Sequence, residues 1–274
     1  MIASLSQLAD FLERHRRVLV LTGAGMSTAS GIPDYRDKDG VRRGQAPMQG
    51  HQFRKLDAVR RRYWARSMAG YPTLARAEPN AGHRALAQLG AAGHIGELMT
   101  QNVDGLHQQA GSFHVLELHG SIHQVVCLDC RAVFARAFVQ GQLVDANPGL
   151  AGIAAPAAPD GDAQHEPASL EGFNIPWCVD CGGMLKPDVV FFGDGVPADR
   201  SARALAQMDD ADALLVVGSS LTVFSGFRFC RMAAQTGKPI AAVNLGKTRA
   251  DELLALKIAD SAEQVLPALV QLLN

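Results

Sequence analysis

Two cysteine pairs, Cys127-x-x-Cys130 and Cys178-x-x-Cys181, each offer two sulfurs at metal-chelating spacing. Four thiolates favour tetrahedral zinc in a closed site with no position left for water, so the chemistry they promise is structural. Such an ion would fold the segment that carries it. A redox dithiol is the other use of either pair, and finding two pairs around one short segment argues against it. The fifth cysteine, Cys230, stands in an amphipathic stretch and reads as a small buried hydrophobe.

A second chemistry is suggested by Thr22-Gly23-Ala24-Gly25-Met26-Ser27-Thr28. Glycines there let backbone N–H groups approach a phosphate at a helix N-terminus, or simply make a tight strand-to-helix turn. The fingerprint of a dinucleotide-dependent dehydrogenase is incomplete: Thr28 stands at the third glycine position, and Arg42-Arg43-Gly44 occupies the place of the acidic ribose ligand. Asn102 and Asp104 carry an amide and a carboxylate that can hold sugar hydroxyls or cap the helix that follows. His119 carries an imidazole whose ordinary pKa, about 6.5, suits it to accept a proton at neutral pH. Gly218-Ser219-Ser220 offers small residues, hydroxyls and backbone donors for a phosphate or ribose, or a plain turn.

These residues need elements to place them. Short apolar runs recur at 18–21, 95–99, 115–118, 189–192, 214–217 and 240–243, separated by helix-like stretches at 79–89, 197–208, 227–235 and 262–273. Continuous apolarity marks strands buried on both faces, and the alternation predicts an α/β fold: a doubly wound, Rossmann-like parallel sheet. Ligands of such sheets bind beyond the C-terminal ends of the strands, where Gly23, Asn102, His119 and Gly218 all fall. Two segments interrupt the pattern. Residues 34–50, rich in Gly, Arg and Asp, read as a long mobile loop of the kind that serves as a lid. From Ser121 to Lys186 the alternation fails around the cysteine pairs, which predicts a small inserted zinc-binding domain at 121–186 within a larger one of 1–120 and 187–274.

Composition narrows the classes. With 47% hydrophobic and 19% charged residues in 274, the chain can bury a core, and disorder throughout is not expected. A net charge of -1 gives no field for steering onto nucleic acid or an anionic membrane, so neither partner is expected. The longest apolar runs fall far short of the roughly 20 residues that cross a bilayer, and residues 1–5 show no secretory signal or room for a transit peptide. A bacterial cytoplasmic setting is the expectation, and the clustered thiols fit its reducing conditions.

Beyond single residues, whole blocks coincide. Gly31-Ile32-Pro33-Asp34-Tyr35-Arg36 continues the first motif, and Thr100-Gln101-Asn102-Val103-Asp104-Gly105-Leu106-His107 follows a later strand. With Leu118-His119-Gly120, Lys186 to Asp194, Gly218 to Leu221 and Asn244-Leu245-Gly246, the chain resembles the sirtuins over nearly its whole length. Arg62 to Arg66 and Ala158 to Asp162 look like the class II branch with mitochondrial and bacterial members.

The resemblance implies an NAD-dependent protein-lysine deacylase that releases nicotinamide and O-acyl-ADP-ribose, with structural zinc. It implies that His119, Asn102 and Asp104 are catalytic. NAD would be lined by Gly23, Ala24, Gly25 and Ser27, by Asp34, Tyr35 and Arg36 of the closing loop, and by Thr100, Gln101, Asn102, Val103 and Asp104. Gly218, Ser219, Ser220, Asn244, Leu245, Gly246 and Ala262 would serve its phosphate and adenosine side. An acyl-lysine protein or peptide would enter a tunnel beside Val190, Phe191, Phe192, Gly193 and Phe224, its backbone adding as a strand near Gly193 and 223–226, with Val190 accepting its amide N–H. His107 would only shape the pocket. Protein ADP-ribosylation on the same scaffold, and a non-enzymatic NAD-sensing module that binds partners through its zinc domain, are the alternatives.

Overall fold

The computed structural model describes residues 4–42, 46–150, 152, 153, 155, 163 and 170–274. Val18–Thr22 (β1), Leu98–Thr100 (β2), Val115–Glu117 (β3), Ala213–Val217 (β7), Ile240–Val243 (β8) and Leu256–Ile258 (β9) form one six-stranded sheet. Every pairing in it is parallel. The order β3-β2-β1-β7-β8-β9 is that of a doubly wound nucleotide-binding fold, with the switch point between β1 and β7. Gly120–Cys127 (β4), Val133–Ala135 (β5) and Leu185–Val189 (β6) form a second, antiparallel sheet with β4 in the middle.

Alternation along each main strand divides the apolar side chains between two cores. Val18 and Val20 of β1 face one core while Leu19 and Leu21 face the other, and Leu215 and Val216 of β7 split in the same way. Helices α1 (Leu5–Arg14), α4 (Ala81–Ala91) and α9 (Ala262–Leu273) cover the first face. Helices α7 (Ala198–Asp210) and α8 (Phe224–Gln235) cover the second. Both faces being roofed is why these strands tolerate unbroken Val, Leu and Ala runs.

A third core lies between the second sheet and helices α2 (Gly50–Lys55), α3 (Asp57–Ala75) and α6 (Arg136–Ala146); α5 is the single turn Leu106–Gln109. Phe53, Tyr63 and Trp64 pack there with Val125, Leu143, Leu185 and Phe191. Arg136 is fully buried at its centre, its guanidinium donating to the Ser67 carbonyl, the Ser67 hydroxyl and Gln140 Oε1. Its charge lies 4.4 Å from the Tyr71 ring centroid and 5.5 Å from that of Trp64. Burial pulls its pKa down to about 10, opposed by Tyr63 and Tyr71, so the charge survives at neutral pH.

Three expectations are corrected. The apolar run 189–192 does not join the main sheet: the strand lies earlier, at Leu185–Val189, paired antiparallel with β4. The sixth strand of the main sheet is instead Leu256–Ile258, where Lys257 interrupts the apolar signal. Helix α8 begins at Phe224, with the amides of Gly226 and Phe227 donating to the Val223 carbonyl, so 224–226 is a helical turn and not an extended edge. The Ala158–Asp162 stretch lies outside the described residues.

Replacing Arg136 with alanine removes the charged donor that ties α6 to α3 and leaves a cavity. A loss of about 2–4 kcal/mol in unfolding free energy is expected, read from urea midpoints at unchanged m-value.

Candidate active site

At the switch point the chain after β1 turns toward the α4 face and the chain after β7 toward the α8 face, opening a crevice between them. Backbone closeness shapes its floor. The Gly25 amide donates to the Gly218 carbonyl at 2.8 Å and the Gly23 amide to the Val217 carbonyl at 3.1 Å. Gly218 has φ +60°, and a Cβ on it would collide with the backbone at Gly25 and Met26. Only glycine satisfies both demands.

Above this floor lies a cavity of about 880 Å³. Its walls include Ala24, Gly25, Asp34, Tyr35 and Arg36 from the first motif and its loop, and Gln101, Asn102, Val103 and His119 from the ends of β2 and β3. Gly218, Ser219, Ser220, Asn244, Leu245, Gly246 and Ala262 line it from β7, β8 and α9, and Val190 to Gly193 with Phe224 close another side. Residues 36–42 fold into a small turn: Asp37 N–H donates to the Val41 carbonyl at 2.9 Å, and Arg36 Nη1 to the Gly40 carbonyl at 2.8 Å. The turn reaches the end of β8, where the Lys38 carbonyl accepts from Lys247 N–H at 3.3 Å. Arg43 and Gly44 lie outside the described residues.

Four expected residues, Gly23, Ser27, Thr100 and Asp104, stand behind the wall and do not line the cavity. Asn102 Nδ2 donates to the Gly23 carbonyl and to Ser27 Oγ, both at 3.0 Å, and Ser27 Oγ donates to Asp104 Oδ2 at 2.7 Å. Asp104 is 4% exposed, and its other oxygen accepts from Leu106 N–H at the start of α5. Burial raises its pKa, opposed by those same hydrogen bonds. The Asn102 amide N–H is held by Thr100 Oγ1, which also accepts from Thr22 Oγ1, itself 2.9 Å from His107 Nε2. Asn102 is therefore fixed from both backbone and side chain, with Asp104 and His107 acting through intermediaries.

His119 leaves the end of β3 at the mouth of β4. Its carbonyl accepts from Val190 N–H at 2.8 Å. Gly120 has φ +86°, and a Cβ there would run into the Asp188 carbonyl of β6, so the His-Gly pairing is a packing requirement. On the ring, Nδ1 lies 3.0 Å from the Gln101 carbonyl and Nε2 lies 2.7 Å from Ser225 Oγ. A carbonyl only accepts, so Nδ1 carries the proton and Nε2 presents its lone pair. Burial pushes the imidazole down to about 4; the Gln101 carbonyl opposes this, and Arg200 and Arg228 add to it. The ring is neutral at pH 7.

The four cysteines meet away from the cavity. Their sulfurs all lie within 4.8 Å of one another, with Cys127–Cys181 at 3.6 Å and Cys130–Cys178 at 3.7 Å. Tetrahedral zinc at the usual Zn–S length of about 2.3 Å sets its sulfurs about 3.8 Å apart, so the cluster fits the ion. The two turns repeat each other. Arg131 N–H donates to the Cys127 carbonyl and Gly182 N–H to that of Cys178; Cys127 N–H donates to the Ala132 carbonyl and Cys178 N–H to that of Gly183.

The sequence model of the Sir2 family matches residues 23–225. The chain belongs to the Sir2 family. It is 53% identical over 273 residues to NAD-dependent protein deacetylase 3 of Pseudomonas syringae pathovar tomato, covering 97% of both chains. Among solved structures, a Sir2 complex with a p53 peptide and NAD+ superposes with a TM-score of 0.78 at 28% identity over 98% of each chain. Sir2Tm bound to a propionylated peptide gives 0.76 at 28% identity, again over 98% of each. Among the described residues of this Sir2 chain, no helix is long and apolar enough to cross a membrane.

Sequence reasoning passed over Ser225 and Arg228, which line the cavity from α8. Their spacing of one helical turn just after the Gly218 block was the available signal.

Two outcomes are expected. His83 is lowered to about 4 and His107 well below 6.5, burial being the main cause in each, as it is for His119. The unfolded chain therefore takes up protons that the native state refuses as pH falls below about 6.5. Stability is complete above that pH and declines toward pH 4, by up to about 1.4 kcal/mol per pH unit for each histidine; denaturant midpoints at pH 7 and pH 5 measure it. Cys178→Ser should give a metal-free protein with the second sheet unfolded, since structural zinc contributes on the order of 10–16 kcal/mol in isolated modules. Metal analysis with circular dichroism tests this.

Proposed function

We infer that this Sir2 protein removes acyl groups from lysine side chains of other proteins, with NAD as co-substrate and zinc as a structural ion. The observation that carries it is the imidazole of His119, oriented by a backbone carbonyl so that Nε2 is the basic nitrogen, in the wall of a cavity whose other walls are the glycine turn and the Asn102 segment. NAD, when bound, would supply a ribose carbon for the acyl oxygen with nicotinamide as leaving group, and one water would be consumed in breaking the lysine–acyl C–N bond, so that the acyl group ends on ADP-ribose.

The chain's own residues divide the remaining work. Ala24 and Gly25 with Gly218 to Ser220 offer close backbone approach for phosphates, and Asn102 with Gln101 lies toward the sugar. Asn244 to Gly246 and Ala262 line the adenosine end. Asp104 and Ser27 hold Asn102 in place from behind. The loop bearing Asp34, Tyr35 and Arg36 excludes water, strengthening every dipole aimed at the developing positive charge. His119 accepts a ribose hydroxyl proton at Nε2 while Nδ1–H stays on the Gln101 carbonyl.

Val190 to Gly193 and Phe224 receive the acyl-lysine peptide, with the Val190 carbonyl accepting its amide. The helical start of α8 leaves Val223 as the extended residue on that side. NAD belongs to 1–120 with 187–274 and zinc to 121–186, and the protein works in a bacterial cytoplasm without a nucleic-acid or membrane partner.

An acetyl-lysine peptide with NAD, followed by mass spectrometry, tests this. Wild type should release nicotinamide and O-acetyl-ADP-ribose, and His119→Ala should be slower by about 10²–10⁴-fold, the usual contribution of a general base. Equal product from both overturns the assignment of His119. ADP-ribose found attached to a peptide that keeps its acyl group overturns deacylation.

A further inference from the structure

Ser225 is the second residue of α8, and its hydroxyl has no partner among the described residues other than His119 Nε2, at 2.7 Å. Helix α8 has no side-chain cap, so the hydroxyl does not serve the helix start. A bare residue next in line makes the contact possible. A Cβ on Gly226 would come within 2.6 Å of Gln101 Nε2, and without one the first turn of α8 presses against the residue whose carbonyl holds His119 Nδ1. Gln101 and Ser225 thus grip the two nitrogens of one ring.

The surroundings make such a grip consequential. Arg200 on α7 and Arg228 on α8 both disfavour a proton on His119, in the same direction as burial. Arg200 is paired with Asp188 of β6 at 2.7 Å and Arg228 reaches Ser201 Oγ at 3.1 Å, while Arg200 Nη1 and Arg228 Nε and Nη2 have no hydrogen-bond partner among the described residues. Two residues before the histidine, Glu117 is raised by burial to about 7, so its charge is weakened near neutrality. A base in this field needs acceptors that favour its protonated form. The Gln101 carbonyl does so for Nδ1–H; Ser225 Oγ is the group placed to do so for Nε2–H.

We propose that Ser225 is a positioning residue for His119, its hydroxyl donating to Nε2 in the resting protein and turning to accept from Nε2–H once the base has taken its proton. The proposal rests on reading His119 as that base. Ser225 keeps its own proton throughout. The proton from the ribose hydroxyl stays on Nε2, the ring carries the positive charge, and Nδ1–H remains on Gln101. In the resting state the contact holds the lone pair on a fixed line beside the cavity, and the ribose hydroxyl takes the serine's place on Nε2 when it arrives.

The test uses full-length, zinc-loaded protein and two readouts. In the cofactor-free state, 15N and 1H NMR of the His119 ring should show the Nδ1–H tautomer in wild type. In Ser225→Ala the titration should move to lower pH, because the imidazolium has lost an acceptor. In steady state, kcat should fall about 10–100-fold, the range expected when a hydrogen bond to a charged group is lost. KM for peptide and NAD should stay within about threefold, and Ser225→Thr should restore most of kcat.

An alanine variant with wild-type titration and kcat overturns the proposal, provided His119→Ala is inactive, and leaves the base reading intact. A faster alanine variant also overturns it, showing that the hydroxyl obstructs the base. Activity retained in His119→Ala sinks the base reading itself. Should the alanine variant not fold, Ser225→Cys carries the same two readouts with a weak donor in the hydroxyl's place.

Discussion

The junction between the two sheets turns on the backbone at His119 and Gly120. His119 ends the run out of β3 and Gly120 begins β4, and both are locked to β6 by the Val190 amide on the His119 carbonyl and by the absence of a side chain facing Asp188. The same few atoms place the imidazole at the cavity wall and orient the segment from Val190 to Gly193 beside it. Position 119 and the segment from Val190 to Gly193 are therefore tied through one backbone hydrogen bond, so that a shift in one is passed to the other.

Around this piece the cavity combines hard and adaptable walls. The floor is backbone against backbone, and the Asn102 side is a hydrogen-bonded chain running from Thr22 through Thr100, Asn102 and Ser27 to Asp104, most of it buried. Such a chain has little freedom, since Ser27 Oγ accepts from Asn102 and donates to Asp104 while Thr100 Oγ1 accepts from both Thr22 and the Asn102 backbone. The 36–42 turn is different. It is closed by its own hydrogen bonds and touches the far wall through the Lys247 amide, a 3.3 Å contact that a local opening can break at small cost.

Much of this was legible in the sequence, for identifiable reasons. Strands β1, β7 and β8 are buried on both faces, so their apolar runs are unbroken, and the cysteine spacing states its geometry directly. Strand β9 was not legible because Lys257 sits mid-strand and reaches Asp251 at the surface. Helix α3 escaped for the opposite reason: Arg60, Arg66 and Ser67 are buried along with Tyr63 and Trp64, so no polar stripe contrasts with an apolar one. At the site, spacing identified the family blocks but did not separate residues that face the cavity from those that brace them. Asp104 and Asn102 are two positions apart, yet one lines the space and the other lies behind Ser27. The Ser225 contact depends on how closely α8 approaches Gln101, which no local pattern encodes.

The third core joins chain segments far apart in sequence, α2 and α3 on one side and β4, α6 and β6 on the other. During synthesis from the N-terminus, α3 leaves the ribosome long before the strands that cover it. Its aromatic side chains then lack their native cover until Leu185–Val189 has been made. In that interval the growing chain exposes apolar surface that the finished fold covers, and transient exposure of that kind favours aggregation.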